Sequence, residues 1–245
     1  SIVIPEGVTS INNLAFYNCS SFTEITIPAT VRNIGTQIFY KCSNIHTVYY
    51  NGTYGNEDNP FLKAVNIKKV VFCGMYIPNS ILKDATNIKE VVIANGVTSI
   101  ASSAFSGCSG LISITIPDSV TLINHNAFRE VKELKSVAFG SGDELMIMSN
   151  VFYQSGLQAV YIPENVVYVG EYAFVGLHDL TEFAVSENNP YYKAVDGLLV
   201  SKNGRKLVAV PAGKVGRLIV PEGIEIIGFG AFEGSKLSEI KFLDG

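Results

Sequence analysis

Apolar triplets with an outward-type middle residue punctuate the chain. They begin at Ile2, Ile25, Val48, Val70, Val91, Ile114, Val137, Val160, Phe183, Leu218 and Ile240, and most of these starts lie 23 residues apart. In a triplet such as Ile114-Thr115-Ile116 the outer residues share one side and the middle residue takes the other, the period-2 signature of a half-buried strand. Pro5, Pro28, Pro117, Pro163 and Pro221 each follow a triplet directly. A residue without an N–H ends a ladder, so the predicted strands are short. A second apolar pair three apart comes next, as Val31 and Ile34 or Val120 and Ile123, and predicts a turn with a brief second extended piece. Phe16, Phe39, Phe105, Phe128, Phe174 and Phe232 then stand twelve residues after the last apolar residue of their own triplet, usually behind Ala. This A-F segment, as in AFSGCSGL from Ala104, is too short for a stable helix and predicts a turn or a 3₁₀ piece.

Repetition at a fixed period in the range of about 20 to 50 residues means that neighbouring units share one core. A single unit here buries nothing alone. Units stacked ~4.8 Å apart place Ile on Ile, Phe on Phe and Cys on Cys through a continuous interior. The predicted fold is a β-rich solenoid of about ten ~23-residue repeats, one domain over residues 1–245. Short parallel strands line one face; turns, short second strands and 3₁₀ pieces make the other.

The pattern L-x-x-I-x-I-P-x-x-V-x-x-I-x-x-x-A-F-x-x-C-x-x-L, carried here by LISITIPDSVTLINHNAFREVKEL and FTEITIPATVRNIGTQIFYKCSNI, resembles the BspA-like leucine-rich repeat family over nearly the whole chain. The resemblance implies a right-handed, curved leucine-rich-repeat solenoid with strands on its concave face. It also implies a place on the surface of bacteria or some protists, as an adhesin or ligand-binding protein. The unit from Val70 to Glu90 departs from the pattern by lacking A-F.

Two irregular segments, at about 50–66 and 186–217, interrupt the period. Asn59-Pro-Phe-Leu-Lys-Ala-Val-Asn66 and Asn189-Pro-Tyr-Tyr-Lys-Ala-Val-Asp196 align over eight residues, 130 positions apart. After the second copy, alternation on both sides of Asn203-Gly204 predicts a β-hairpin over about 198–210. It lengthens that unit to 35 residues, either as a brace that patches the stack or as a projecting contact loop.

Composition narrows the function classes. A net charge of −4 with 47% apolar and 16% charged residues excludes a disordered chain. The longest basic run is the pair Lys68 and Lys69, which offers no field for nucleic acid. No apolar stretch approaches the ~20 residues that span a bilayer, and Ser1 begins directly on the repeat, so any signal or anchor is expected outside this sequence. Cys19, Cys42, Cys73 and Cys108 form no C-x-x-C pair, leaving zinc and thioredoxin-like readings unsupported. Cys19, Cys42 and Cys108 share one interior repeat position and are expected as free thiols. The triplets Asn18-Cys19-Ser20 and Asn51-Gly52-Thr53 fit the N-glycosylation pattern, which also arises by chance.

In a solenoid, recognition usually uses the long strand-lined face. The triplet middles form a column there, with Tyr49, Val71, Val92, Thr115, Tyr161 and Ile219 as its candidate contact residues. Two positions earlier runs a polar flank that includes Lys69, Glu90, Glu182 and Arg217. An aromatic and β-branched stripe beside polar groups fits a protein contact, and strands prefer the same residues for packing alone.

Catalytic readings fail on these columns. A retaining glycosidase needs carboxyls ~5 Å apart, yet Glu90 stands beside Lys69 and Glu182 beside Ala159. His46, His125 and His178 fall at three different repeat offsets, which a solenoid keeps apart. No metal and no cofactor is expected. The sequence therefore predicts a non-catalytic, cell-surface or secreted binding or adhesion module whose partner is a host or matrix protein. A glycan on the same face and a passive spacer for another domain are the alternatives.

Overall fold

A computed structural model describes residues 2–52 and 59–243, as strands and turns with no helix among them. The long-strand ladder begins with β1 (Ile2–Val3), β3 (Glu24–Ile27), β5 (Thr47–Tyr50), β6 (Lys69–Phe72) and β8 (Glu90–Ile93), parallel in one sheet. It continues as two parallel pairs, β10 (Ser113–Ile116) with β12 (Ser136–Phe139) and β14 (Val160–Ile162) with β16 (Phe183–Val185), linked to each other by a single parallel bridge from Ser136 to Ala159. It ends as β20 (Val215–Val220) with β22 (Lys236–Phe242). The short-strand ladder starts with β2 (Ser10–Ile11) on β4 (Asn33–Ile34). One sheet then takes β7 (Tyr76–Ile77), β9 (Ser99–Ile100), β11 (Leu122–Ile123), β13 (Leu145–Ile147) and β15 (Val166–Val169). Last come β19 (Lys206–Ala209) and β21 (Ile226–Ile227).

Register follows the repeat. Ile2 pairs with Ile25, Ile25 with Val48, Val48 with Val70 and Val70 with Val91, and Ile25, Val48 and Val70 are buried. Where one face must be dry, a slip by one residue would turn each of these outward, so burial fixes the register.

Prolines stand at each place where the long-strand ladder divides. The bond that closes each pairing is donated by the residue just after a triplet: Asn51 to Ile27 (3.0 Å), Cys73 to Tyr50 (3.1 Å), Ala94 to Phe72 (2.9 Å), Gly140 to Ile116 (2.8 Å) and Ser186 to Ile162 (2.9 Å). At the equivalent place β10, β14 and β20 carry Pro117, Pro163 and Pro221, which have no N–H to give. Each of those strands opens a new sheet. β3, followed by Pro28, pairs with β1 over only Ile2 and Val3.

The A-F segments are turns rather than 3₁₀ pieces. Left-handed residues bracket them four positions apart, as at Leu14 and Asn18, Ser80 and Asp84, or Asn126 and Glu130. Alternate N–H groups then serve different partners. Ser103, Phe105 and Gly107 donate to His125, Ala127 and Arg129 of the next rung (2.8 to 3.0 Å), while Ala104, Ser106 and Cys108 donate back three residues within their own rung. A left-handed residue with a side chain costs roughly 1–2 kcal/mol, which the inter-rung bonds and a dry aromatic column offset. Phe105, Phe128, Phe152 and Phe174 stack at 4.9, 5.3 and 5.5 Å. In the unit without A-F, buried Ile81 and Leu82 occupy its place, with Leu82 donating to Ala104 at 2.9 Å.

The insert contains one more strand than the Asn203-Gly204 signal predicts. β17 (Tyr192–Val195) and β18 (Leu198–Ser201) are antiparallel, joined by the two-residue turn Asp196-Gly197 with φ of 51° and 76°, the positive pair that an Asp-Gly hairpin turn supplies. β18 pairs antiparallel with β19 through the longer connection containing Asn203 and Gly204. Leu198, Leu199, Val200 and Leu207 are buried, and Val210 donates to Ala231 at 2.9 Å, taking the place that Phe105 to Ala127 has earlier. The insert thus packs its apolar side chains into the stack. A clasp spans it on the outside, where the Tyr153 hydroxyl donates to Glu233 at 2.8 Å beneath the Arg129 guanidinium, 5.0 Å from the ring.

The two Asn-Pro copies share a cap and then part. Asn59 accepts from the Phe61 N–H, and Asn189 accepts from Tyr191 and Tyr192, each at 2.7 to 2.8 Å. Buried Phe61 continues the aromatic column beside Phe39, whereas Tyr192 enters β17 and its hydroxyl accepts from the Val169 N–H at 2.8 Å.

Candidate ligand-binding face

The triplet middles project from the long-strand ladder, because their neighbours on both sides are drawn into the core. Thr26, Tyr49, Val71 and Val92 stand in direct register on four successive strands. Tyr49 is 36% exposed, and Val71 and Val92 are half-buried. Thr115 is exposed and registers with Ala138 in the next sheet. Tyr161, 54% exposed, registers with Ala184. Ile219 is 46% exposed and registers with Lys241. The insert stands between β16 and β20, so Ile219 and Arg217 are set apart from Ala184 and Glu182. The sequence-read column is one stripe as far as Val92 and separate short stripes beyond.

Charges on the flank neutralise one another along the stack. The Lys69 ammonium lies 2.7 Å from the Glu90 carboxylate, and Arg217 lies 3.3 Å from Glu239. Both pairs are largely exposed and are worth ~0–1 kcal/mol each. Glu182 meets the insert, since a Cβ on Gly197 would fall 2.8 Å from its own Cβ. That contact has no signal in the repeat. Asp196-Gly197 was the available one.

Two of the four cysteines belong to the interior. Cys42 and Cys108 are buried free thiols that donate to the Phe16 and Ala85 carbonyls at 2.9 and 3.3 Å. Burial pushes the Cys108 thiol up to about 12, far from a reactive thiolate. Cys19 is half-buried and Cys73 exposed. Thr53 of the second N-glycosylation triplet lies outside the described residues. Among the described residues no group of three or more His, Cys, Asp or Glu side chains could hold a metal ion, and no helix is long and apolar enough to cross a membrane.

The BspA type leucine-rich repeat region, in six copies, matches residues 1–109 and 75–193. The chain belongs to the BspA-type leucine-rich repeat family. No curated protein matches it. Among solved structures, the pneumococcal vaccine antigen PcpA is similar at 22% identity and a TM-score of 0.67, over 98% of this chain and 58% of that one. A leucine-rich cell surface protein from Faecalibacterium prausnitzii is similar at 23% identity and a TM-score of 0.63, over 98% of this chain and 68% of that one. A leucine-rich repeat protein from Eubacterium ventriosum, 18% identical with a TM-score of 0.51, is covered over 53% and covers 95% of this chain. These likenesses establish the fold. The BspA-type chain thus spans little more than half the length of the first of them. Its last rungs, β19 to β22, lie beyond the matched repeats and keep the same parallel stacking.

Proposed function

We propose that this BspA-type chain is a non-catalytic binding module of a cell-surface or secreted protein, and that it contacts a protein partner through the long-strand face. One observation carries the reading: Thr26, Tyr49, Val71 and Val92 form a registered outward stripe beside the neutralised pair Lys69 and Glu90. An apolar and aromatic strip with a charged rim is the arrangement in which a few anchors supply most binding energy. Tyr161 extends it on a separate sheet. The cell-surface setting draws its support from the family and from the words that describe the Faecalibacterium neighbour.

The test is an array of extracellular-matrix and host-surface proteins, probed with the chain and with a Tyr49→Ser, Tyr161→Ser double variant. The expected result is a bound protein that the variant loses. Binding that survives both substitutions, and Val71→Asp as well, removes the face from recognition.

A further inference from the structure

Within the proposed face the long-strand ladder is first interrupted at the joint between β8 and β10. The two strands lie side by side with no ladder bond between them. Glu90 and Ala94 turn their N–H groups toward β6, donating to Lys68 at 3.0 Å and Phe72 at 2.9 Å. Main-chain groups alternate in direction along a strand, so those of Val91 and Ile93 face β10. On β10 the carbonyls of Ile112 and Ile116 are taken by Lys135 and Gly140 of the following rung, which turns Ser113 and Thr115 toward β8. Donors and acceptors of both strands thus border one depression of about 370 Å³, lined by Glu90, Val92, Ser113 and Thr115 among others.

Alternating donors and acceptors suit a group that is both, and a hydroxyl is the simplest neutral one. The Ser113 and Thr115 side chains add two more hydroxyls. Glu90 is held by Lys69 at 2.7 Å through one oxygen, which leaves the other to accept. Val92 supplies an apolar floor for the C–H face of a ring. The volume sits near the small end of ligand sites, about 300–1,000 Å³. Tyr49 stands two rungs away, roughly 10 Å along the stack, where a second ring would meet an aromatic surface.

We propose that the β8–β10 joint is a saccharide subsite, taking one ring of a neutral oligosaccharide that lies along the stack toward Tyr49. This rests on the long-strand face being the recognition surface, and not on the partner being a protein. The ¹⁵N-labelled chain is titrated separately with cellotetraose, chitotetraose and lacto-N-tetraose, and the amide signals are followed by NMR. One of the three sugars shifts the amides of Val91, Ile93, Ser113 and Thr115 and leaves Asn33 and Ile34 in place. Thr115→Val and Glu90→Gln each weaken that binding about tenfold, the loss of roughly one hydrogen bond, with native-like amide spectra in the absence of sugar. No shift at these amides with any of the three sugars at about 10 mM, beyond the millimolar range of weak binding, overturns the proposal, as does binding that Thr115→Val leaves intact. The two readings fail separately. Loss of sugar binding with deglycosylated protein partners still captured sinks the subsite alone, and the reverse sinks only the protein contact.

Discussion

Between Glu24 and Ile93 four long strands share one sheet, while between Ser113 and Val185 four strands of similar length and spacing make two. The cores beneath them do not differ in kind. The short-strand ladder runs unbroken from β7 to β15, and the aromatic column passes under the β8–β10 joint as Phe105 on Phe128 at 4.9 Å. What differs is a single position per rung. Asn51, Cys73 and Ala94 donate to the rung before, and Pro117 and Pro163 cannot. A repeat protein can therefore interrupt one ladder while the others keep the stack in register, which leaves main-chain groups of two adjacent strands outside the ladder without opening the interior.

If the aromatic column holds the joint together, removing one ring there must cost more than removing one at the end of the stack. Phe128→Ala, at a side chain with no exposure between Phe105 and Phe152, is expected to lose about 3–5 kcal/mol. Phe16→Ala, at the half-buried first ring, is expected to lose less. Urea denaturation of both variants decides it, and equal losses would mean that the joint draws no support from the column.

Dryness beneath the joint has its own test in Cys108. Its thiol is raised to about 12 chiefly by burial, while an unfolded thiol ionises near 9.0. Below pH 9 both states are protonated and the native state keeps its full advantage; from 9 toward 12 only the unfolded chain ionises, so stability falls across that window. The decline between pH 8 and 10.5 should be smaller in Cys108→Ala. In the native chain an alkylating reagent should label exposed Cys73 and leave Cys108 unmodified, whereas rapid labelling of Cys108 would show that the joint reaches the core.

Much of this was legible in the sequence, and the exceptions have physical causes. The triplets and the Phe at a fixed offset gave rungs, register and interior, because stacking repeats a local pattern. Phe152 escaped the offset, since its unit runs one residue longer between triplet and ring, yet it stacks on Phe128 and Phe174 at 5.3 and 5.5 Å. β17 was missed because Asn203-Gly204 drew the hairpin to itself while Asp196-Gly197 made the tighter turn. The joints were missed for a different reason. Each proline was visible, but its absent donor matters to a carbonyl about 24 residues earlier, a relation that only the stacked structure defines.

A smaller effect separates the flank from the ladder. Lys69→Ala breaks the pair with Glu90, whose side chains are 37% and 55% exposed. The expected loss is ~0–1 kcal/mol and shrinks with added salt. A larger, salt-independent loss would mean that Lys69 packs rather than pairs.

The smallest change in stability bears most directly on the joint. Pro117→Ala gives β10 an N–H at the position from which Ala94 and Gly140 close their ladders, so it can donate to the Ile93 carbonyl. One such bond contributes about 1 kcal/mol, and losing proline's restriction of the unfolded chain costs about 0.4–1 kcal/mol. The two nearly cancel, so the denaturation midpoint should move little. Hydrogen exchange does not share that cancellation, because it reads the opening of each amide. If the missing donor is what separates β8 from β10, exchange at Val91, Ile93 and Thr115 slows in Pro117→Ala, and exchange at Val48 and Val70 in the continuous sheet stays as it was. Unchanged rates at the joint would show that rung geometry, rather than the proline, divides the ladder.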